Sequence, residues 1–227
     1  NKIYHSWKNN GISIADMHKI TLNKKLLPKH LQLGVYKHSK KYIINLDDDN
    51  IYYLLGLILG DGNITTDFGI RFYNADEQLL SWITKYTTKI GAKPSRSIIK
   101  GVPLIYFNCK PIGDLCKHIG IKQHNKNNLK LNIPNNKKII KPFLQGYFDT
   151  DGCVEKRYKR VSISATNKNL ITRIQETLLL FGIKSSVRLR KAKTTNIRQR
   201  KIFSKKSYTL TIMSIYVKKF YEQIGFR

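Results

Sequence analysis

Two short stretches decide how this chain folds: Leu54–Gly62 reads LLGLILGDG and Leu144–Gly152 reads LQGYFDTDG. Each is an apolar run that ends on Asp-Gly. A helix that is apolar on every side has to be buried. We therefore predict two buried helices, Asn50–Gly60 and Pro142–Thr150, and place the start of the second near Pro142 because proline is tolerated in a first turn.

The sequence around these stretches is duplicated. Ile70–Leu79 aligns with Val161–Leu170 at an offset of 91 residues. Further along, Ile105–Gly120 aligns with Leu210–Gly225 at an offset of 105. The second copy therefore carries about fourteen more residues between its last two strands. Collinear blocks of this kind indicate a repeated structural unit.

Each copy has the same order of helix-like and strand-like patterns. In the first, Ile70 and Phe72 alternate with Arg71 and Tyr73, which is typical of a half-buried strand. The predicted fold is α+β, with two pseudo-symmetric αββαββα repeats. The predicted segments are a basic N-terminal segment (1–46), repeat one (47–120), a linker (121–141) and repeat two (142–227).

Small residues recur on the two apolar helices four positions apart. Gly56 and Gly60 of the first helix align with Gly146 and Thr150 of the second. Small side chains at this spacing let two helix backbones approach closely. We therefore predict that the helices pack on each other about a pseudo-twofold axis.

Both helices end on an acid, Asp61 or Asp151, where the negative end of the helix dipole disfavours a carboxylate. Pairing of the helices would bring the two carboxylates together, which costs more free energy. Asp-Gly alone is also a common turn, but its recurrence in register favours a functional site. Mg²⁺ takes carboxylate, water and phosphate oxygens, and metals between paired acids serve phosphodiester displacement.

The charge of the chain points to a polyanionic partner. Its 42 Lys+Arg and 14 Asp+Glu give a net charge of +28, and a hydrophobic content of 41% excludes a disordered chain. The excess is +8 in residues 1–46, zero in 47–120 and +20 in 121–227. No apolar stretch is long enough to cross a membrane. Three cysteines make a poor disulfide framework, so we expect an intracellular protein that is not secreted.

The densest basic run is Lys184–Lys206, with ten basic residues and no acid. Two interpretations stay open. It is a solvated charged loop, or it is a strand with Arg188 and Arg190 on one face and Val187 and Leu189 on the other. An arginine face would neutralise phosphates and make binding strongly dependent on salt.

The two nonapeptides resemble the paired motifs of a monomeric LAGLIDADG, or dodecapeptide, homing endonuclease, and the resemblance covers residues 47–227. It implies a DNA-binding saddle of two αββαββα halves with the motif helices at the interface of the repeats. It also implies Mg²⁺-dependent cleavage of double-stranded DNA at a long site, leaving short 3′ overhangs. Two or three divalent cations are expected, with Mn²⁺ able to substitute and Ca²⁺ binding without cleavage.

The resemblance also assigns roles to residues of the motifs. Asp61 and Asp151 match the acids that hold the metals, and Gly60 and Thr150 join them as metal-binding positions. Asp149 matches the motif's earlier acid, which is not a metal ligand. The segment Asn128–Pro134 resembles the one whose lysine reaches the active site. Lys130 is thus the expected basic residue, with Lys122 and Lys126 as alternatives.

Polar residues that alternate with buried strand residues are expected to face the DNA. Arginine can bond guanine through two donors, and hydroxyls can donate or accept. The expected DNA-binding residues are Arg71, Tyr73, Ser162, Ser164, Arg188, Arg190, Arg198, Arg200, Thr209 and Thr211. Exposed strand faces are polar in most proteins, so each residue has this second explanation.

Other functions remain open at this point. Residues 1–46 are either an accessory DNA-binding module or the remnant of an intein splicing domain. Loss of cleavage on the same fold would give an RNA maturase or a DNA-binding regulator. A basic structural RNA-binding protein is a further alternative, but it does not explain two buried helices that end on Asp-Gly.

Overall fold

The computed structural model of the chain describes residues 31–34, 41–65, 69–121, 129–197 and 200–227. The chain divides into two compact units. Tyr52–Asp61 belongs with Gly120–Arg227, and Gly62–Ile119 belongs with the part of the chain up to Ile51. Each unit holds one four-stranded antiparallel sheet.

The elements of the first unit follow the predicted order. Its sheet has the strand order β3-β4-β6-β5, and a separate antiparallel pair, β1 and β2, precedes it. The bounds are β1 Leu31–Gly34, β2 Lys41–Ile44, α1 Asp49–Asp61 (continuing into the second unit), β3 Gly62–Ile64, β4 Gly69–Tyr73, α2 Glu77–Lys89, β5 Ser95–Ile99, β6 Val102–Asn108 and α3 Lys110–His118.

The core of this unit is formed by the residues that alternate onto the covered face of its strands. Ile70 and Phe72 are buried and pair in register with Phe107 and Ile105 of β6. The α2 helix begins at its cap Asp76, whose carboxylate accepts hydrogen bonds from the next turn. This confirms the predicted strand and the amphipathic helix that follows it.

The second unit has the same order with one addition. Its sheet has the strand order β7-β8-β12-β9, and β10 and β11 form a separate antiparallel hairpin. The bounds are α4 Lys137–Asp151, β7 Gly152–Glu155, a short 3-10 helix Lys156–Tyr158, β8 Arg160–Ala165, α5 Lys168–Leu179, β9 Ser185–Arg190, β10 Lys193–Ile197, β11 Arg200–Ser204, β12 Ser207–Ile212 and α6 Ser214–Gln223.

The α+β class and the twice-repeated αββαββα order are therefore confirmed. The extra residues of the second copy are the β10–β11 hairpin together with its flanks. In the first copy the corresponding connection is only Lys100 and Gly101, both with positive φ. The basic run thus begins in the sheet and continues into a hairpin that the first copy lacks.

The start of the second apolar helix was predicted wrongly. Helix α4 begins at Lys137, and its N-cap Asn136 accepts a hydrogen bond from Lys138 N at 3.0 Å. Pro142 lies inside the helix, not in its first turn. Proline removes one backbone donor there, but Phe143, Leu144 and their neighbours are buried, and packing holds the helix together.

No helix in the described part of the chain combines the length and apolar character that a membrane crossing requires. The predicted N-terminal segment 1–46 lies largely outside the described residues; its described part is the β1–β2 pair and the turn that leads to α1.

Candidate active site and nucleic-acid interface

The predicted packing of the two apolar helices is confirmed, and its contacts are reciprocal. The Cα of Gly56 lies against the carbonyl of Phe143, and a Cβ built there would be 2.9 Å from Tyr147 N. The Cα of Gly146 lies against the carbonyl of Tyr53, and a Cβ there would be 2.9 Å from Leu57 N. Each contact on one helix recurs on the other at the same positions of the motif.

The close contact continues to the ends of both helices. A Cβ built at Gly60 would collide with the Thr150 side chain, at 2.6 Å from its Cβ. The residues just before the two acids therefore touch. Asp61 is half-buried at the end of α1, and Asp151 is exposed at the end of α4. The helix ends thus present two carboxylates from adjoining backbones.

A buried tyrosine lies beneath Asp151. Tyr147 is 1% exposed, and its hydroxyl makes no hydrogen bond of ordinary geometry within the described residues. Burial raises the pKa of the Tyr147 hydroxyl well above its usual range, and the negative charge of Asp151 and the polar contact of the hydroxyl with that carboxylate raise it further. In the first helix Leu57 occupies the corresponding place, so the two acids stand in different surroundings.

The motif's earlier acid, Asp149, accepts hydrogen bonds from two other parts of the chain. Tyr53 of α1 donates a hydrogen bond to Asp149 Oδ2 at 2.6 Å. The backbone N–H of Arg227 donates to the same carboxylate at 3.2 Å and 3.3 Å, and the Arg227 guanidinium lies 4.7 Å from the centre of the Tyr53 ring. Asp149 thus joins the two helices and the chain around Arg227.

The oxygen atoms at the two helix ends are of the kind that bind a magnesium ion. They are hard oxygens: the carboxylates of Asp61 and Asp151 and the backbone oxygens of the last turns, including Gly60 and Thr150. Across the described ranges no group of three or more His, Cys, Asp and Glu side chains could hold a metal. Mg²⁺ takes oxygen ligands of this kind, usually keeps several waters and is completed by substrate phosphates.

Lys130 is exposed on an extended segment. Its neighbours Leu129, Leu131 and Ile133 are buried, so the backbone alternates and only the lysine and Asn132 point outward. The alternatives Lys122 and Lys126 lie outside the described residues, and the structure therefore does not choose among the three.

Most expected DNA-binding residues of the second unit share one face of its sheet. Thr209 pairs in register with Ser164 on one side and with Arg188 on the other. Further along, Thr211 pairs with Ser162. The opposite face carries buried apolar residues: Val161, Ile163, Leu210 and Ile212.

The side chains on this face differ in exposure. Arg188 and Arg190 are exposed, and the hydroxyls of Ser164 and Thr209 lie 2.8 Å apart. Ser162 is only 6% exposed, and it donates to Glu155 at 3.3 Å. Ser162 is thus the least accessible of the expected residues whose exposure the structure describes.

The arginine alternation in β9 is looser than predicted. Val187 is half-buried, and Leu189, which was expected on the covered face, is 49% exposed. The strand lies at the edge of its sheet, beside β12 only. Arg198 lies outside the described residues, and Arg200 is the first residue of β11.

The first unit presents a similar polar face. Arg71 is exposed and pairs with Asn63 on β3 and with Tyr106 on β6. Tyr73 lies on the same face and is half-buried. Asn63 and Tyr106 belong to the face although sequence reasoning missed them; the register of β4 with its neighbours would have identified them.

Comparison with known families decides the class of the fold. Residues 138–225 match the model of the LAGLIDADG-like domain. This part of the chain is therefore similar to a LAGLIDADG-like domain. The match contains the second nonapeptide, Leu144–Gly152, and confirms the family resemblance there; the matched residues run from the first turn of α4 to just beyond α6.

Solved structures with the LAGLIDADG-like fold extend the likeness to the first repeat. I-DmoI in complex with DNA and Ca has a TM-score of 0.53 at 17% identity, with 78% of this chain and 88% of that chain covered. Full-length DUF199/WhiA from Thermatoga maritima also has a TM-score of 0.53 at 17% identity, covering 86% of this chain and 58% of that chain. Both likenesses concern the fold.

Among curated proteins, the chain is 27% identical over 209 residues to the DNA-directed RNA polymerase subunit Rpo1C of Methanocaldococcus jannaschii. The match covers 90% of this chain and 22% of that protein. The chain spans no more than 22% of the length of the first curated relatives it matches. The chain is therefore similar to one part of proteins that are much longer.

Sequence reasoning on the LAGLIDADG-like motifs missed the polar partners around the helices. Tyr53 and Asp149 are 96 residues apart, and Arg227 and Asp149 are 78 apart. Local patterns carry no signal for such contacts. The one available hint was the replacement of Leu57 and Leu59 by Tyr147 and Asp149 at matching motif positions.

Proposed function

We propose that the protein is a site-specific double-stranded DNA endonuclease that hydrolyses phosphodiester bonds with Mg²⁺. It would act as a monomer on a long target site and leave short 3′ overhangs. The observation that carries the proposal is the contact of Gly60 with Thr150, because it brings together two helix ends that each terminate in an intact acid, Asp61 and Asp151.

Each residue of the site has a role in this chemistry. Asp61 and Asp151 would hold the divalent ions, with backbone oxygens of Gly60 and Thr150 beside them. When bound, the ions would stabilise the charge on the attacking and leaving oxygens. The exposed ammonium group of Lys130 would stabilise negative charge that develops on the phosphate.

The proposed DNA contacts fall into two classes. Arg71 and Tyr73, together with the polar face around Thr209 and Arg188, would read base edges. The hairpin β10–β11 and the basic residues of segment 1–46, which carries a net charge of +8, would contact phosphates and position the duplex. A protein acting on DNA also fits an intracellular setting.

A DNA-binding regulator on the same fold is the second candidate. The likeness to DUF199/WhiA favours it, because it covers 86% of this chain. The two retained acids favour the endonuclease, since binding alone has no use for carboxylates at paired helix ends. The two functions differ in one measurable respect, which is whether DNA is cut.

The test is incubation with a randomised double-stranded DNA library in Mg²⁺, Mn²⁺ and Ca²⁺, followed by sequencing of cut ends and of bound DNA. The endonuclease predicts discrete cuts with short 3′ overhangs in Mg²⁺ and Mn²⁺, and binding without cuts in Ca²⁺. Asp61→Asn and Asp151→Asn should each abolish double-strand cleavage and leave DNA affinity within about tenfold, roughly 1.4 kcal/mol.

Asp76→Asn is the matched control. It makes the same charge change at an exposed helix cap, where Asn caps as well as Asp. Its cleavage should equal that of the wild type. Undiminished cutting by either active-site variant would refute the assignment of the acids, and specific binding without cuts in any ion would favour the regulator.

A further inference from the structure

The segment that carries Lys130 is held by side chains of the second repeat. Asn167 Nδ2 donates to the carbonyl of Leu129 at 2.9 Å, and Arg173 Nη2 donates to the carbonyl of Ile133 at 2.9 Å. The same Arg173 nitrogen lies 2.9 Å from Asn135 Oδ1. The extended segment is thus attached to helix α5 at two carbonyls that flank Lys130 and Asn132.

Asn167 serves both the helix and the segment. It is 5% exposed and is the N-cap of α5, where its Oδ1 accepts from Leu170 N at 3.1 Å. Its Nδ2 points to the Leu129 carbonyl. One amide therefore satisfies a helix donor and a linker acceptor at once, which fixes the orientation of the amide group.

The backbone of Lys130 itself is also confined. Gly120 has φ of +95°, and a Cβ added there would collide with the Lys130 carbonyl, at 3.0 Å from its carbonyl carbon. Leu129 and Leu131 on either side are buried. The backbone of residue 130 is thus held while its side chain stays exposed.

The equivalent cap in the first repeat lacks this function. Asp76 aligns with Asn167 at the offset of 91. It accepts hydrogen bonds from Gln78 N and Leu79 N, and it is exposed. An ionised carboxylate has no donor, so it could not hold a carbonyl. The amide side chain, Asn167, is therefore found in the repeat whose helix cap also bonds a linker carbonyl, that of Leu129.

We propose that Asn167 is a positioning residue that holds the backbone at Lys130 so that the lysine reaches the reacting phosphate. This rests on the proposed function. Small displacements of a catalytic group reduce rates by up to about a hundredfold. Loss of the amide donor should therefore lower the rate of cleavage far more than DNA affinity.

The test compares Asn167→Ser with Asp76→Ser. Serine caps a helix well in both places, and only the first change removes a donor to the linker. Asn167→Ser should lower the single-turnover cleavage rate about tenfold or more, with DNA affinity within about threefold. Asp76→Ser should leave the rate within about twofold. Asn167→Asp keeps the size and the cap acceptor, and it repeats the test if serine unfolds the protein.

A double mutant shows whether the effect passes through the lysine. In a Lys130→Met background, Asn167→Ser should lower the rate no further, because the group that it positions is gone. An equal fold-loss in both backgrounds would overturn the proposal. So would a wild-type rate in Asn167→Ser.

Amide hydrogen exchange separates this proposal from the proposed function. Exchange at residues 130–133 should be faster in Asn167→Ser than in Asp76→Ser, whether or not DNA is cut. If the wild type cuts no DNA, the proposed function fails and exchange alone decides. Unchanged protection of the segment in Asn167→Ser would then overturn the positioning role.

Discussion

The two motif helices share their backbone contacts and differ in their polar ones. Gly56 and Gly146 make matching approaches to the opposite helix. At the very next position the sequences diverge: α1 has Leu57 where α4 has Tyr147. The second helix also has an acid, Asp149, which holds Tyr53 and Arg227.

This difference separates two requirements. Close approach of two helices needs small residues at fixed places in both copies, so those places remain alike. The residues between them are free to change, and a single chain can then give its two halves different surroundings. We expect strong, equal effects from changes in the shared contacts and weaker, unequal effects from changes in the diverged ones.

The largest effect is expected at the shared glycines. Gly56→Ala and Gly146→Ala each place a methyl group against a backbone carbonyl of the other helix, Phe143 or Tyr53. Since backbone cannot move aside as a side chain can, each change should lower the free energy of unfolding by about 3 kcal/mol or more. Urea unfolding followed by circular dichroism measures it.

Gly101→Ala is the control for these variants. Gly101 has φ of +79° and no atom within 4 Å of an added Cβ. The change should therefore cost only the left-handed backbone term, roughly 1–2 kcal/mol. A marked inequality between Gly56→Ala and Gly146→Ala would contradict the reciprocity of the helix contacts.

The next effect concerns the hairpin that only the second copy has. Arg190 of β9 pairs with Ser207 of β12, as Ile99 pairs with Val102 across a two-residue turn in the first copy. Replacing residues 191–206 by Asn-Gly therefore keeps the register and removes seven basic residues. DNA affinity should fall about a hundredfold, roughly 2.7 kcal/mol.

The salt dependence of binding distinguishes phosphate contacts from a solvated loop. Each lost phosphate contact lowers the slope of log K against log salt by about 0.9. The shortened protein should thus show a slope that is smaller by several units. Lys100→Asn, which gives the first copy the same turn, is the control and should change the slope by about one unit at most. An unchanged slope in the shortened protein would mean that the hairpin is only solvated.

From the sequence alone, the features that could be predicted were the duplicated elements and the strands in which buried and exposed residues alternate. The two apolar helices, their glycines and the paired strands with Ile70 or Ile163 on the covered face follow from period and recurrence. The start of α4 was misjudged because Pro142 reads as a first-turn residue. Tertiary burial outweighs the local cost of that proline.

The polar contacts of the candidate site could not be predicted in the same way. The amide of Asn167 reads as an ordinary helix cap, and nothing near it in the sequence identifies Leu129, 38 residues away, as its second partner. Sequence patterns show which residues are buried, because buried positions recur with the repeat of the helix or the strand. They do not report which buried polar group meets which.

The smallest effect is expected from two tyrosine hydroxyls with opposite consequences. Tyr53 donates to the Asp149 carboxylate at 2.6 Å, and a hydrogen bond to a charged group contributes about 2 kcal/mol. Tyr53→Phe should therefore lower the free energy of unfolding by about that amount. Tyr147 has a buried hydroxyl with no hydrogen bond of ordinary geometry. Tyr147→Phe should raise the free energy of unfolding by about 1 kcal/mol, since the buried polar group is removed.

Each tyrosine variant is the control for the other, because both remove one oxygen from a buried ring on a motif helix. Unfolding in urea gives the stabilities, and cleavage rates show whether Asp151 depends on the hydroxyl beneath it. A loss of stability in Tyr147→Phe would mean that the hydroxyl bonds Asp151 in solution. In that case the Tyr147 hydroxyl holds the Asp151 carboxylate through a hydrogen bond. Asp61 has Leu57 at the matching position, which offers no such bond, so the two carboxylates of the site are held with different firmness.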